Sequence, residues 1–334
     1  MKSGRRWGII KYMNDNFMKK SFFLILAAIL VFSLYGCLKK STPLTQDQVE
    51  QNQAQNINEE QKTSIPTWIN GSSVISGQFA DADVINLGDG KYRMYYSEEP
   101  ETPGFSGRVY SAVSNDGINW TKENGIRMVW ATFPSVIRTN DNKFRIYFQN
   151  QGVIKSAISS DGLSWQEERG TRIDATNPAG LALTKVASPT VIKLDDKYLM
   201  VYRGDLNQRY SADVPNNETE LLLWATSVDG LTFEKQGIAF DSRNSEFKGL
   251  LDGPDLVQWD DGSIRLYFWS YRGVYHLNYQ DGNFSKTASF DFSIDPSVPF
   301  PMNPPGDPTL IKISDEWFMY YGQHTKGIYY ANLK

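Results

Sequence analysis

The feature that most constrains the fold is a pair of strand-like segments that the sequence repeats five times. Each copy opens with a small or acidic residue, continues with Pro or Ala and β-branched residues, and passes through an Asp- or Gly-rich turn into an aromatic strand. The five openings span residues 81–85, 133–137, 188–192, 253–257 and 307–311. Repeated strand units of this kind are typical of β-propellers, in which each copy forms one radial blade.

Two further strands follow most openings, and a turn with the pattern Ser-x-Asp-Gly joins them. These turns span residues 114–120, 159–165 and 227–233, and residues 280–284 hold a shorter version in the fourth copy. Four antiparallel strands per copy predict an all-β fold, a five-bladed β-propeller with four-stranded antiparallel blades. The fifth copy ends after three strands at Lys334. We therefore expect residues near Trp68 to Phe79 to supply its fourth strand and close the ring, with an open solenoid as the alternative.

The Ser-x-Asp-Gly turns are predicted to be structural rather than catalytic. Short Ser and Asp side chains readily accept hydrogen bonds from the N–H groups of their own turn. The aromatic residue that ends each motif, such as Trp120, is expected to pack beneath the turn.

The N-terminus predicts export. Lys19 and Lys20 precede an apolar run over residues 22–35, which leads directly into Gly36-Cys37. The run is shorter than the roughly 20 residues that a transmembrane helix needs, and a small residue before a cysteine is typical of a lipoprotein signal peptide. Residues 1–36 are therefore interpreted as a signal peptide, with Met18 as an alternative start, and Cys37 as the lipidated residue. An uncleaved membrane anchor is the alternative.

Residues 37–63 are rich in Gln, Asn, Glu and Thr and contain almost no large apolar side chains. Because such a segment cannot offset the entropy of ordering, we expect the lipidated cysteine to be followed by a disordered tether. The propeller is expected over residues 64–334. The predicted location is the outer face of a membrane in the bacterial cell envelope, and the lipid anchor is the only expected contact with that membrane.

Composition argues against several classes of function. The single cysteine rules out an internal disulfide framework. The formal net charge is −4 and no Lys/Arg cluster accompanies aromatic residues, so nucleic acid is not an expected partner. The sequence has two histidines, no Cys/His spacing typical of metal sites and no phosphate-binding loop, so we expect neither a metal nor a cofactor.

Candidate site residues follow from propeller geometry, since the innermost strands begin near the axis at one face and the loops after the second strands open on that face. The candidate catalytic carboxylates at the strand starts are Asp81, Asp83, Asp255 and Asp307. The candidate ligand-binding residues in the loops are Glu98, Arg203, Asp205, Trp269, Arg272 and His324. Acidic acceptors, Arg donors and aromatic faces together favour a carbohydrate ligand, because a sugar ring presents hydroxyls at its edge and C–H groups on its faces. An equally simple interpretation makes the carboxylates turn acceptors, and Arg203 and Arg272 salt-bridge partners between blades.

Residues 65–334 resemble the superfamily of five-bladed β-propeller glycosidases that includes arabinanases, β-xylosidases, invertases and mannoside phosphorylases. The resemblance rests on strand openings such as Asp307-Pro308, on the run over residues 89–96 and on the Ser-x-Asp-Gly-x-x-Trp turns. It implies action on oligosaccharides. For the arabinanase group it further implies a base on the first blade, an orienting Asp on the second and an acid Glu on the third. Asp81 or Asp83 matches the first, whereas the openings of the second and third blades carry no carboxylate.

Three functional hypotheses result. The first is a surface-anchored, glycoside hydrolase-like enzyme in which a first-blade Asp pairs with Asp255 or Asp307, since glycoside hydrolysis needs two carboxyl groups roughly 5–10 Å apart with one protonated. A phosphorylase, with Arg203 and Arg272 binding phosphate, ranks below it because no dense basic cluster is present. The third is a non-catalytic propeller lipoprotein that binds glycan or an envelope protein.

Overall fold

The computed structural model describes residues 67–176, 180–214, 218–298 and 303–334, and over these ranges the chain consists of β-strands and loops. In chain order the strands are β1 (Trp68–Ser76), β2 (Phe79–Gly88), β3 (Lys91–Glu98), β4 (Arg108–Ser114), β5 (Thr121–Lys122), β6 (Met128–Val129), β7 (Thr132–Arg138), β8 (Phe144–Asn150), β9 (Val153–Ser159), β10 (Gln166–Glu167), β11 (Leu183–Lys193), β12 (Tyr198–Leu206), β13 (Thr219–Ser227), β14 (Glu234–Phe240), β15 (Asp252–Gln258), β16 (Ile264–Ser270), β17 (Gly273–Gln280), β18 (Asn283–Phe284), β19 (Ser289–Phe292), β20 (Gly306–Ile313), β21 (Glu316–Gln323) and β22 (Gly327–Leu333). Within the described ranges, no helix is long and apolar enough to cross a membrane.

The strands form five antiparallel sheets, which are the blades of a β-propeller. From the axis outward, the blades are β2-β3-β4-β5, β7-β8-β9-β10, β11-β12-β13-β14, β15-β16-β17-β18 and β20-β21-β22-β1. The short strands β6 and β19 pair with β4 and β17. The first strands of the blades, β2, β7, β11, β15 and β20, contact one another in a ring. The predicted all-β fold with five blades of four strands is confirmed.

The ring is closed by the two ends of the described chain. Strand β1 pairs antiparallel with β22, with Trp68 opposite Leu333 and Ser76 opposite Gly327. Trp68 and Ile75 bury their side chains, at 8% and 1% exposure. The strand β1 therefore supplies the outer strand of the fifth blade, as the sequence predicts, and it joins the two ends of the described chain.

Each innermost strand carries the same local distortion near its start. One residue near the start of each strand lies in the left-handed region of φ: Asp81 (54°), Phe133 (51°), Ser188 (45°), Gly253 (55°) and Asp307 (46°). A register shift in the pairing with the second strand brackets each of these residues. Such bulges bend a strand and redirect its side chains. At each of the five bulges, the residue in the left-handed region therefore does not follow the alternation of side chains in the rest of the strand.

At four of the five bulges, a backbone N–H of the next innermost strand donates a hydrogen bond to the side chain two residues after the left-handed position. The acceptors and donors are Asp83 Oδ2 and Val136 N (2.9 Å), Ser135 Oγ and Val191 N (3.1 Å), Thr190 Oγ1 and Leu256 N (2.9 Å), and Asp255 Oδ2 and Leu310 N (2.8 Å). The innermost strands of neighbouring blades belong to different sheets and do not form a ladder of backbone hydrogen bonds with each other. A short polar side chain at this position therefore accepts the hydrogen bond from the neighbouring backbone N–H.

The Ser-x-Asp-Gly turns are structural, as predicted, and they also join blades. In the second blade Asp161 Oδ1 accepts hydrogen bonds from the N–H groups of Leu163 (2.8 Å) and Ser164 (2.9 Å). The hydroxyl of Tyr95 in the first blade donates to the carbonyl of Gly162 in this turn (2.8 Å). The same bond recurs from Tyr147 to Gly230 and from Tyr320 to Gly117. Each turn therefore locks onto an aromatic strand of the preceding blade.

Candidate functional site

The candidate site is a cavity of about 810 Å³ that opens at the face where the innermost strands begin. Asp81 and Asp307, at the bulges of β2 and β20, line it. Phe133, Trp269 and Tyr271 supply aromatic surface. All five blades or their connections contribute lining residues, so the cavity collects side chains that are far apart in sequence.

Asp81 and Asp307 are enclosed by protein even though each keeps partial solvent exposure. The pKa of the Asp81 carboxyl is raised to about 7, mainly by burial and next by the charge of Asp252, while hydrogen bonds from Ser97 and Phe133 and the charge of Arg203 oppose the rise. Burial likewise raises the pKa of Asp307 well above its ordinary value, with the charge of Asp81 as the next cause. Because an ionised Asp81 disfavours ionisation of Asp307, Asp307 is the carboxyl that keeps its proton when Asp81 is ionised.

Arg203 and Asp252 form a charged pair beside these two carboxyls. Arg203 Nη1 bonds Asp252 Oδ2, and Arg203 Nε donates to Asp205 Oδ1 (2.9 Å). The other oxygen of Asp252 accepts hydrogen bonds from Ser188 Oγ (2.7 Å) and from Gly253 N (2.7 Å). Asp252 is therefore fully engaged by protein donors, whereas Asp81 and Asp307 have no basic residue bonded directly to them in the described structure.

Asp83 and Asp255, the other two predicted carboxylates, do not line this cavity. They face a narrow space of about 30 Å³ on the propeller axis, where their Oδ2 atoms accept the backbone hydrogen bonds that join blades. Burial raises the pKa of Asp83 to about 7 and that of Asp255 well above its ordinary value. The structure thus separates the four predicted carboxylates into two that reach the cavity and two that connect blades.

A second lobe of about 550 Å³ continues from the first and shares Ala80, Asp81 and Phe133 with it. Arg203 and Glu98 line this lobe. Both were predicted in loops, but Glu98 is the last residue of β3 and Arg203 lies within β12, because these second strands extend to the cavity. The Glu98 carboxylate is already paired with Arg108 Nη1 (3.1 Å) and accepts a hydrogen bond from Ser106 N (3.1 Å). Glu98 therefore holds the connection between β3 and β4 in place at the rim of the lobe, and it also makes the lobe more polar.

The remaining predicted ligand-binding residues have different positions. Trp269 lines the first lobe, and its Nε1 donates to Asp307 Oδ1 (3.2 Å). His324 lines the rim. Asp205 is fully buried behind Arg203 and pairs with Lys185 Nζ (3.1 Å). Arg272 is exposed, lies over the ring of Phe290 (4.0 Å) and lines neither lobe.

One group at the rim has the composition of a cation site. Ligand atoms of Glu99, Glu101 and His324 lie within 4.8 Å of one another. Both oxygens of Glu99 also accept hydrogen bonds from Thr325 N (3.0 and 2.8 Å), which is an internal use for that carboxylate. Glu101 and His324 are exposed. The group could hold a metal ion, and it equally serves to fix the loop that carries His324.

Several lining residues were not predicted from the sequence. Asp213 and Val214 come from the connection between β12 and β13, and Lys248 and Leu250 come from the connection between β14 and β15. Trp130 precedes β7 and lines the second lobe. The signal that could have found the first four is connection length, since these loops are too long for hairpins and long loops commonly carry binding residues. The predicted lipidation site, Cys37, lies outside the described residues.

Solved glycoside hydrolase structures share this fold. A structure from the GH130 family of mannoside phosphorylases, reported to contain glycoside hydrolases that target β-1,2-mannosidic linkages in Candida mannan, matches with a TM-score of 0.60 and 15% identity, over 81% of this chain and 94% of that one. A protein of Parabacteroides distasonis described as a glycoside hydrolase gives 0.61 and 16%, over 80% and 96%. A GH43 β-xylosidase/α-arabinofuranosidase from a compost metagenome, solved with xylotriose, gives 0.56 and 14%, over 81% and 96%.

No protein-family model and no curated protein sequence matches the chain. At the identities above, the structural similarity establishes the five-bladed fold that these glycoside hydrolases share with this protein. The substrate and the catalytic residues must be argued from the cavity itself.

Proposed function

We propose that this protein is a glycoside hydrolase that acts on oligosaccharides, with Asp81 and Asp307 as its catalytic carboxyl groups. The observation that carries the proposal is their joint position on an open, aromatic-lined cavity with no basic residue bonded directly to either in the described structure. Burial raises the pKa of both carboxyls, and the charge of Asp81 raises that of Asp307 further. That is the environment in which one carboxyl stays protonated as an acid while the other acts as a base or nucleophile.

In the proposed mechanism Asp307 protonates the glycosidic oxygen as the bond to the departing sugar breaks. Asp81, in the first-blade position that the family resemblance gives to the base, attacks the anomeric carbon or activates a water molecule. The hydrogen bond from Trp269 Nε1 orients Asp307. Trp269 and Phe133 present faces on which a sugar ring can stack. The proton that Asp307 donates leaves with the departing sugar, and water restores it.

Hydrolysis is favoured over phosphorolysis by the placement of the two candidate arginines. Arg203 is bonded to Asp252 and Asp205, and Arg272 lies outside both lobes. The first lobe is lined by Asp81, Asp307 and further acidic residues, so a phosphate anion would meet like charges there.

The test is a comparison of three identical chemical changes. Asp81→Asn and Asp307→Asn remove the proposed acid and base, and we expect each to lower kcat on oligosaccharides by about 10²- to 10⁴-fold. Asp83→Asn is the matched control, because it alters a partly buried carboxyl two residues away that does not line the cavity. Activity should be retained in the control. Full activity in Asp81→Asn or Asp307→Asn would rule out the assignment.

A non-catalytic glycan-binding propeller is the second candidate. The observation in its favour is that the bulge positions of the second and third blades hold Phe133 and Ser188 rather than carboxylates. Saccharide binding that survives in Asp81→Asn and Asp307→Asn, together with no turnover by the native protein, would support this candidate over the hydrolase.

We further propose that the propeller, taken as residues 64–334, is displayed on the outer face of a bacterial membrane through lipid on Cys37. The support is the sequence alone, in which a basic and apolar leader precedes Gly36-Cys37 and a polar tether follows. Cys37→Ser in the full chain should move the protein from the membrane fraction to the soluble exported fraction. Retention in the membrane fraction would favour an uncleaved anchor.

A further inference from the structure

Two exposed aromatic residues stand at the mouth of the second lobe. Among the described residues Trp130 is the one tryptophan with an exposed side chain, at 59%, and Phe105 is the one exposed phenylalanine, at 41%. Both line the lobe. Every other described tryptophan is at least partly packed into the protein. Large exposed aromatic surface at the edge of a cavity marks an interaction site rather than part of the core.

The backbone of Trp130 shows that this exposure is built into the structure. Its φ is 57°, in the left-handed region that a bulky side chain rarely adopts. Asn150 Nδ2 donates to the Trp130 carbonyl (2.7 Å), and the N–H of the next residue, the buried Ala131, donates to Gly107 O (3.1 Å). A glycine would satisfy the same backbone geometry without strain. The fold therefore does not require an indole here, and strain of this kind is concentrated at functional positions.

The second lobe is continuous with the proposed catalytic groups, because Asp81 and Phe133 line both lobes. Each lobe alone falls within the roughly 300–1,000 Å³ that is usual for small-molecule sites. Gln149 and Gln151 line the second lobe and offer amide donors and acceptors for sugar hydroxyls. A ligand that fills both lobes must be a chain that passes Asp81 and reaches Trp130.

We infer that Trp130 is the stacking platform of an outer subsite, which binds the part of an oligosaccharide chain that extends beyond the sugar residues at Asp81. The inference rests on the proposed action on oligosaccharides and adds a specificity-determining residue to it. The flat indole packs against the C–H face of a sugar ring, and Phe105, in the connection between β3 and β4, adds a second aromatic side chain to the lobe. Chains long enough to reach Trp130 bind more tightly than disaccharides, which occupy only the sites near Asp81.

The test is calorimetric binding of graded β-1,2-mannan, xylan and arabinan oligosaccharides, from disaccharide to pentasaccharide, to the full exported chain. Trp130→Ala is expected to raise Kd for the longest bound chain by about tenfold, equivalent to about 1.4 kcal/mol. Its Kd for the disaccharide of the same series should stay within about twofold of the native value, since the shorter ligand does not reach the indole. Trp130→Phe keeps an aromatic face and should restore most of the affinity.

Two further variants separate binding from folding. Trp130→Gly should lose the same affinity while its melting temperature stays equal to or above that of the native protein, because glycine accepts the positive φ. Ile126→Ala is the matched control, since Ile126 is an exposed apolar residue of the same segment (46%) that lines neither lobe. Its affinities should be unchanged.

Each outcome of these binding measurements supports or contradicts the stacking platform at Trp130. Equal affinity of Trp130→Ala and the native protein for long chains would overturn the platform, even if hydrolysis is observed. Length-dependent binding that Trp130→Ala abolishes, without turnover, would keep the platform and remove the proposed hydrolase. If no saccharide of the three series binds the native protein, both the stacking platform at Trp130 and the proposed action on oligosaccharides are contradicted.

Discussion

Replacing Asp83 by Asn should make the stability of this protein less sensitive to rising pH. Burial raises the pKa of the Asp83 carboxyl from 3.8 to about 7 in the folded protein. Between these values the folded protein holds a proton that the unfolded chain has released, so folding is favoured at low pH and this contribution is lost as the pH rises through about 7. At about 1.4 kcal/mol per pH unit the full effect is about 4 kcal/mol.

Asparagine keeps the oxygen that accepts the hydrogen bond from Val136 N (2.9 Å) but cannot ionise. Any penalty from replacing the acid by the amide is independent of pH. We therefore expect the free energy of unfolding of Asp83→Asn, minus that of the native protein, to increase by up to about 4 kcal/mol from about pH 4 to about pH 8. The charge of Asp83 also raises the pKa of Asp255. Removing that charge in Asp83→Asn lowers the pKa of Asp255, which adds to the increase of the stability difference with pH.

Urea unfolding at several pH values gives both free energies from the midpoint and slope of each transition. Asp161→Asn is the control, because hydrogen bonds from Ser164 and Leu163 lower the pKa of that exposed carboxyl to about 2. Asp161 is ionised in both states above about pH 5, so its stability difference should be flat from there upward. A flat difference for Asp83→Asn as well would refute the buried position of Asp83 between the blades.

Three other expectations concern the cavity. Arg203→Met should lower the free energy of unfolding by about 3–5 kcal/mol in urea titrations, because it leaves the buried Asp252 without its cation; an unchanged midpoint would contradict the pairing. Gly253→Ala should lower kcat with little change in circular dichroism, since Gly253 has a φ of 55° and an added Cβ would lie 2.5 Å from Asp307 Cα. The pH profile of kcat/KM should have a limb near pH 7, where Asp81 titrates, and a profile without change between about pH 6 and 8 would exclude Asp81 from the reaction.

The fold could be predicted because its determinants are local and repeated. Alternating strands, Asp/Gly turns and Pro at strand starts recur with each blade. The fifth copy lacks one strand, and this gap predicts the closing strand β1. The role of the Ser-x-Asp-Gly turns could also be predicted, because the hydrogen bonds of Asp161 involve N–H groups only two and three residues away. The bond from Tyr95 to the same turn spans 67 residues and depends on how two blades pack. No local pattern contains that information.

The candidate site could be predicted only in part, and the bulge is the physical reason. In a regular strand Asp81 and Asp83 would point to the same side, because side chains alternate with a period of two. The register shift between Ala80 and Asp83 breaks that alternation and leaves Asp81 on the cavity and Asp83 against Val136. The two carboxylates can be read from the sequence, but the bulge that separates their directions cannot. A similar limit applies to Arg272, which adjoins the cavity-lining Tyr271 in sequence but lies outside the cavity.

The residues at the left-handed positions indicate where function has shaped this ring. The geometry of the bulge is met by Gly253 in the fourth blade at no steric cost and by short polar residues such as Asp81, for which positive φ is least unusual. Phe133 occupies the same position in the second blade, and Trp130 repeats the strain three residues earlier. Bulky side chains are poor choices for these angles, and the other blades show that the fold does not need them. Both aromatic residues line the lobe that leads from Asp81 outward. The guanidinium of Arg203 lies over the Phe133 ring (5.7 Å), which gives Phe133 a packing role inside the protein, so Trp130 is the one of the two whose presence is best explained by the proposed ligand contact.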